Sequence, residues 1–393
     1  MNEHQQRQEA VNRYLKGEKV AQIARSLSKS RKWLHHWINC YKSNPGNEDW
    51  FKEQSKAPKN IARSIDTELE EKILLIRHDL MNEKMAQIGA ISIQYECKKR
   101  GINPIPAVWV INRIIAKYGL NKQVSVHKTP KEYPELFYHT HQMDLVGPRY
   151  IKGDGQFYSV NLIDITTHSC FVKAVRTKSS EGIVQAIGSF WKIHGMPDAL
   201  QMDNELAFRG SNRYPRSFGS VVRFALSQGV SPVFIPVKEP WRNGVIEKFN
   251  DTYQKRFLRA YAFKDFEQLC LQEQSFINFH NTHHRYSSQK HKTADEMKVL
   301  MLPAIYYKGT EHLPSLKKRM PIKIQLDKGC VYFIRFVRSD LKLCLPNESF
   351  TVKENLKYSY VVAEINIENH CLNIRQNGEI KQTIPYTISG IDW

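Results

Sequence analysis

The chain contains no run of 18 apolar residues and no Cys-x-x-Cys pair, and it is short of acidic side chains. The first absence leaves no candidate for a membrane-spanning helix. The opening MNEHQQRQEA is polar throughout, without the apolar stretch of a secretory leader, so a cytoplasmic chain is expected. The seven cysteines (Cys40, Cys97, Cys170, Cys270, Cys330, Cys344, Cys371) are odd in number and dispersed. They read as reduced thiols rather than a disulfide framework, and they argue against a His-His-Cys-Cys zinc module. His280, His283 and His284 lie close together, but no cysteine or carboxylate stands beside them at metal-ligand spacing. The shortage of acid is 39 Asp and Glu against 58 Lys and Arg, a net charge of +19. An excess of that size favours polyanionic partners, of which nucleic acid is the commonest. It is concentrated early, with 23 basic and 13 acidic residues in the first 130.

Against this basic background three acids stand out. Asp144 lies in HQMDLVGP, ahead of a Gly-Pro turn and the β-rich run YSVNLIDITTHSCFVKAV. Asp203 follows the short apolar stretch Ala199 to Met202 and precedes loop-favouring Asn204, where a strand end presents a side chain. Glu247 falls just after the breakers Pro240 and Gly244, in the first turns of the helical segment VIEKFNDTYQKRFLRAY. Carboxylates gathered from two strand ends and a helix make an oxygen-rich pocket suited to Mg²⁺ or Mn²⁺. Two such ions would serve an in-line phosphoryl displacement. Taken singly, each acid reads equally as a surface carboxylate or a cap.

The motifs MDNELAFRG, PWRNGVIEKFN and INFHNTHHRYSSQKHKTADEM, in that order, resemble the catalytic core of retroviral-integrase-like DDE transposases of bacterial insertion sequences and transposing phages. The resemblance covers residues 135–300. It implies an RNase H-like core with a mixed five-stranded sheet flanked by helices, and acids that converge at one edge. It also implies DNA cleavage and strand transfer, with Asp144, Asp203 and Glu247 as catalytic ligands of two Mg²⁺ or Mn²⁺ ions. The chain departs from the pattern at Glu205, where the family usually has Gly, and at Tyr286 and Ser287, where it usually has Pro-His. The 43 residues between Asp203 and Glu247 exceed the usual spacing, and Gly210 to Ser220 reads as an insertion. Asp251 is the fallback third ligand. Asp164, where similar proteins carry a non-ligand Asp, is assigned a supporting role, and Trp241 a packing one.

The N-terminal third reads as two helix-turn-helix units, residues 1–45 and 60–120. In the first, EAVNRYLKG, VAQIARSLS and SRKWLHHWINCYK form three helices, the last capped by Ser30, with apolar Val20, Ile23, Ala24 and Leu27, and then Leu34, Trp37, Ile38 and Tyr41, at helical spacing. Its third helix leaves Arg31, Lys32, His35 and His36 for a DNA groove. A three-helix protein-interaction module is the alternative. The second unit runs Asp66 to Leu80, Ala86 to Arg100 and then PAVWVINRIIAKYGL, with Val108, Ile111, Ile114 and Ile115 buried and Arg113 and Lys117 available. Residues 121–134, extended by Pro130 and Pro134, read as a linker. Arg242, Asn243, Lys248 and Lys255, around the Glu247 helix, are further candidate DNA contacts. Beyond residue 300, short β runs between Asn, Gly and Glu turns, with a hairpin at Asn377-Gly378, resemble the small β-barrel that follows the core in phage Mu-type transposases, placed at 320–393.

The expected architecture is therefore multidomain: all-α helix-turn-helix modules, a central α/β RNase H-like integrase core and a C-terminal small β-barrel. The expected activity is metal-dependent cleavage at transposon ends and strand transfer, by a homodimer or larger assembly on double-stranded DNA. A nucleoid-associated location in a bacterial cytoplasm follows from that activity, with no membrane partner. An RNase H-like nuclease without strand transfer, or a transposase-derived DNA-binding regulator, would share many of these features.

Overall fold

The structure is a computed structural model that describes residues 2–43, 46–53, 65–120, 132–213, 216–301, 304–309 and 327–388. The chain divides into two compact units, Met1–Asp66 and Thr67–Trp393. The first packs α1 (Glu3–Leu15), α2 (Val20–Ser26) and α3 (Arg31–Ser43) around Ala10, Val11, Ile23, Leu34, Trp37 and Ile38. The sequence starts the first helix at Glu9, but it begins six residues earlier. Asn2 accepts hydrogen bonds from the His4 and Gln5 N–H groups while the Gln5 side chain accepts from the Asn2 N–H. A capping box, not apolar periodicity, sets that boundary. Ser30 caps α3 as its sequence suggests, accepting from the Trp33 N–H at 3.1 Å.

The second unit opens with three helices, α4 (Thr67–Asn82), α5 (Ala90–Lys99) and α6 (Val108–Lys117), closed on Ile73, Ile76, Ile93, Cys97, Ile111, Ile114 and Ile115. Val108 is only half-buried. This bundle is fastened to the rest of its unit. The Gln87 amide donates to the Arg285 carbonyl at 3.1 Å and accepts from its N–H at 2.9 Å, and the Arg285 guanidinium lies 3.5 Å over the Tyr95 ring. Residues 121–131 of the expected linker lie outside the described residues. Its far end is docked, since Tyr133 packs edge-on against Tyr360.

The sheet is built from β1 (Thr140–Ile151), β2 (Gly155–Asp164) and β3 (Cys170–Val175) as an antiparallel meander. After α7 (Ser180–His194) come β4 (Ala199–Met202), α8 (Leu206–Arg209), α9 (Ser220–Ser227), β5 (Ser231–Phe234), α10 (Gly244–Tyr253), α11 (Phe266–His283) and α12 (Ala294–Lys298). The order β3-β2-β1-β4-β5, with β4 parallel to β1 and β5 parallel to β4, is the mixed five-stranded sheet that the resemblance implied. Buried aromatic and aliphatic side chains of α7, α9, α10 and α11 cover it.

The C-terminal segment corrects the expectation of a separate small β-barrel. Its strands are β6 (Cys330–Phe336), β7 (Lys342–Leu345), β8 (Glu348–Thr351), β9 (Tyr360–Asn366), β10 (Cys371–Gln376) and β11 (Glu379–Pro385). Four of them extend the core sheet in the order β5-β6-β9-β10-β11, β7 and β8 pair only with each other, and no closed barrel occurs among the described residues. The reason is burial on both faces. Ile334 and Val361 through Ile365 are all buried, Phe333 stacks on Phe234 of β5 at 4.8 Å, and the edge of β5 would otherwise present unpaired backbone groups. The Asn377-Gly378 turn forms as expected, both residues having positive φ between paired Gln376 and Glu379.

The insertion between Asp203 and Glu247 leaves the sheet undisturbed because it closes at its base. The Gly219 N–H donates to the Arg209 carbonyl at 3.0 Å, and a Cβ on Gly210, whose φ is +105°, would lie 2.6 Å from the Gly219 nitrogen. Only backbone fits between the two glycines. Gly210→Ala is expected to lower stability by about 1–3 kcal/mol, the usual cost of overpacking, read as a lower urea midpoint. Ser211→Ala, in the exposed part of the loop, should leave the midpoint in place.

Candidate metal and nucleic-acid site

The site is assembled by the register of β1 against β4. Gln142 pairs with Gln201 in the last pair of the ladder between the two strands, and Asp144 and Asp203 each follow two residues later, near enough for the charge of Asp144 to act on Asp203. Residues two apart on a strand share a face, so Asp144 lies on the side of β1 that bears Gln142. There the glutamines hold the start of α10. Gln142 Oε1 accepts from the Ile246 N–H at 2.9 Å, and Gln201 Nε2 donates to the Arg242 carbonyl and to Asn243 Oδ1, each at 3.1 Å. Asn243 donates in turn to the Met143 carbonyl at 3.2 Å. The beginning of α10 is thus bolted to both strands, and its first turn carries Glu247. One turn later Asn250 Nδ2 donates to Asp144 Oδ2 at 2.6 Å.

The electrostatics are those of crowded carboxylates. Burial raises the pKa of Asp144 above the ordinary range, and the charges of Glu205 and Glu247 add to it, against hydrogen bonds from the Leu145 N–H and Asn250. Asp203 is raised for the same first reason, with Asp144 and Glu205 adding, while the Glu205 N–H and Lys178 oppose. Glu205, seen in the sequence only as a departure, is therefore a fourth acid at this site, paired with Lys178. The half-buried Asp144, Asp203 and Glu205, with the exposed Glu247, are an oxygen-only donor set whose charge suits a hard divalent cation. Arg335 was missed altogether. It reaches from β6 to donate to Asn204 Oδ1 at 2.7 Å and to the Ile235 carbonyl at 2.9 Å, steadying the loop that carries Asp203.

Several expected DNA contacts are placed elsewhere. Asn243 is 3% exposed and fully engaged with the strands, so it is corrected to a structural residue. Arg242 is corrected likewise. Its guanidinium lies 4.1 Å from the Tyr133 ring and 4.8 Å from the Tyr360 ring, and it donates to Glu239 and to the Tyr360 hydroxyl. Trp241, expected to pack, is 61% exposed instead. Lys248 is exposed on the helix of Glu247, and Lys255 is exposed just past its end, beside Asp251 at 2.6 Å. Asp251 thus pairs with a lysine four residues on. Arg113 is exposed, and Lys117 is exposed but bridged to Glu70 at 2.7 Å. In the first unit Arg31, Lys32, His35 and His36 are all exposed along α3.

A second cluster is distinct from the first. Among the described residues, His139, His141 and Asp164 form the one group of three or more His, Cys, Asp or Glu side chains whose donor atoms lie within 4.8 Å of one another. The indole N–H of Trp191 donates to His141 Nδ1 at 3.2 Å, which puts the hydrogen of the neutral ring on Nε2 and leaves that atom no lone pair for an ion. Burial holds this ring neutral, with its pKa lowered to about 3. Against the cost of burial, His139 and Thr167 keep Asp164 ionised, and Asp164 also accepts from the Thr166 N–H at 2.8 Å. The cluster is a polar brace at the base of β1 and β2, and Asp164 supports the fold there.

Comparison with known families gives two matches: an integrase core domain over residues 228–293 and a Homeodomain-like domain over residues 1–47. The chain thus carries an integrase core segment and a helix-turn-helix segment, as its motifs suggested. No curated protein matches it. It is similar to the catalytic core domain of HTLV-2 integrase solved in complex with magnesium, at 18% identity, 42% of this chain, 97% of that one and a TM-score of 0.32. It is also similar to the integrase chain of a simian T-cell lymphotropic virus intasome, at 12% identity, 75% and 92% coverage and a TM-score of 0.37. The catalytic core domain of BIV integrase gives 14% identity, 41% and 94% coverage and a TM-score of 0.32. At such scores these likenesses add nothing to the strand order and the acids.

A carboxyl whose pKa is higher in the folded chain than in the unfolded one binds its proton more tightly when folded, so it costs stability as pH rises through the shifted range. Asp203→Asn removes that cost and keeps the acceptor for the Glu205 N–H. In chelator, the variant is expected to melt above the wild type at pH 7, with the difference closing as pH falls below about 4, the ordinary aspartate value. Scanning calorimetry at the two pH values checks this.

Proposed function

We propose that the chain is a transposase of the retroviral-integrase-like class, cutting DNA at the ends of a mobile element and joining the freed 3′-hydroxyl to target DNA. The observation that carries this reading is the electrostatic coupling of Asp144 with Asp203 and with Glu247 at the ends of the paired strands β1 and β4 and the first turn of α10, in a chain whose residues 228–293 match an integrase core. In this reading Asp144, Asp203 and Glu247 hold Mg²⁺ or Mn²⁺, two ions per site. The bound ions would supply activation of the attacking oxygen and neutralisation of charge on the leaving one. The chain's own part is positioning. β1 and β4 fix two carboxylates, the clamp at Asn243 fixes the helix of the third, and Asn250 and the Leu145 N–H hold the two oxygens of Asp144.

DNA is engaged in this reading by Arg31, Lys32, His35 and His36 of α3, with Arg113 and Lys117 on the second helical bundle and Lys248, Lys255 and the exposed Trp241 beside the acids. Phosphate contacts by the cations set affinity, and a few base contacts set the choice of sequence. Two ends must be brought together, so the working form is a homodimer or larger assembly on double-stranded DNA, in the nucleoid-bearing cytoplasm of a bacterium. Among the described residues no helix is long and apolar enough to cross a membrane.

The test is purified chain with labelled end-repeat duplex, target plasmid and Mg²⁺, beside Asp203→Asn. Joined product that falls by about 10²–10³ in the variant, the usual cost of deleting one electrostatic contributor, supports the proposal. Cleavage without joining turns it into a nuclease, and binding with neither product turns it into a DNA-binding regulator. A second expectation concerns α3. Arg31→Ala and Lys32→Ala should each weaken binding to end DNA and flatten the slope of log affinity against log salt, by about 0.9 for each phosphate that is no longer neutralised. Fluorescence anisotropy at several salt concentrations measures both.

A further inference from the structure

Behind Asp144 a line of polar side chains runs through the core. Asn250 donates to the Asp144 carboxylate, and its Oδ1 accepts from Asn161 Nδ2 at 2.7 Å. Asn161 Oδ1 accepts from the Ser159 hydroxyl, also at 2.7 Å. Ser159 Oγ lies 3.3 Å from the Tyr253 hydroxyl oxygen, and that oxygen lies 2.8 Å from Glu273 Oε1. The other carboxyl oxygen of Glu273 accepts from the Ala174 N–H at 2.9 Å. Ser159, Asn161 and Tyr253 are fully buried, and Asn250 and Glu273 nearly so.

Counting hydrogens along this line fixes its state. Asp144 accepts, so both amides present their NH₂ groups toward it and their carbonyls away from it. Ser159 must then give its one hydrogen to Asn161. Tyr253 also has a single hydrogen. If Glu273 is ionised, it takes that hydrogen, and the two hydroxyl oxygens of Ser159 and Tyr253 face each other with none between them. If Glu273 carries a proton on Oε1, it donates to Tyr253, Tyr253 donates to Ser159, and every link is made in one direction as far as Asp144.

We infer that Glu273, as a neutral acid, is a positioning residue for the metal site, holding Asn250 and so the Asp144 carboxylate in place through Tyr253, Ser159 and Asn161. This rests on the reading of Asp144 as a metal ligand. The surroundings agree with the hydrogen count. Burial pushes the Glu273 carboxyl up to about 7, while the Ala174 N–H, the Tyr253 hydroxyl and the charge of Lys173 on β3 pull the other way. On its own helix, the exposed Cys270 stands three residues before it as a thiol whose pKa is pushed up to about 11, chiefly by partial desolvation.

Glu273→Gln is the decisive variant. Its amide would donate to Tyr253 and accept from the Ala174 N–H, reproducing the neutral acid at every pH. Mn²⁺ binding to the full chain without DNA, followed by the paramagnetic resonance of the free ion from pH 6 to 8.5, gives a readout separate from activity. Proton competition at Asp144 and Asp203 is common to both chains and drops out of their ratio. Equal affinity is expected at pH 6. Above about pH 7 Glu273 ionises and the wild type is expected to weaken relative to the variant, by roughly fivefold at pH 8.5, the worth of one ordinary hydrogen bond. Tyr253→Phe, which cuts the line, should weaken binding at pH 6 by a similar factor. If that variant does not fold, the ratio of wild type to Glu273→Gln decides alone. Superimposable curves for those two chains overturn the inference, as does a Glu273→Gln chain that fails to fold. A wild type that binds no Mn²⁺ overturns the metal reading itself.

Discussion

Everything at the candidate site depends on the parallel pairing of β1 with β4 in the register that sets Gln142 beside Gln201. A slip of one residue between them would turn the residues of β4 to the opposite face while those of β1, held by β2, stayed in place. It would also withdraw Gln201 from the Arg242 carbonyl and Asn243, and with it half of the clamp on the start of α10. One register therefore fixes all three acids, because the side chains that lock the helix stand two residues ahead of those that carry the charge. The aspartates are costly to bury together, and that cost is offset by the surrounding framework, not by cations built into the chain. Lys178, the cation that acts on Asp203, is itself paired with Glu205. The scaffold thus leaves the site with net negative charge.

The long C-terminal extension of the sheet bears on the same point. β6 adds to the edge of β5, and Arg335 on it reaches back under the loop after β4 to hold Asn204, the neighbour of Asp203. Tyr360 on β9 grips Arg242 just ahead of α10. Two of the three segments that carry the acids are thus braced by strands that follow the core in sequence. The C-terminal region is part of the scaffold of the site. A free-standing barrel of the same length would leave β5 as an open edge and the Arg242 turn without Tyr360.

What was legible in the sequence follows from the range of the forces involved. The first helical bundle was readable because its boundaries and its core are local: Ser30 caps α3, and Ile23, Leu34, Trp37 and Ile38 repeat at helical spacing. The placement of the three acids was readable because each sits beside a breaker or at a strand end. The partners that orient them were not, since Gln142, Gln201 and Asn161 look like ordinary polar positions on strands until the pairing is known. A signal for two of them was present all the same. Both aspartates are preceded by the same two residues, Gln-Met, and a repeat on two strands that share a sheet face marks equivalent duties. The C-terminal strands were recognised as strands but joined to the wrong neighbours. Alternation and turns specify a strand, whereas its partner depends on which edge is left unpaired elsewhere.

Arg242 and Trp241 show why residue type alone misplaced adjacent side chains. An arginine beside a cluster of acids reads as a phosphate contact, and a tryptophan reads as a packing anchor. Here the short helical turn from Pro240 to Asn243 sends the two opposite ways. The guanidinium enters a slot between Tyr133 and Tyr360, where it finds a carboxylate and a hydroxyl as well as two ring faces. The indole is left in solvent. An exposed ring costs apolar surface that folding does not recover, and a half-buried arginine costs desolvation that its partners must offset. Both costs fall on the turn that introduces Glu247, where the gripped guanidinium ties the start of α10 to the C-terminal strands and the indole face is left free.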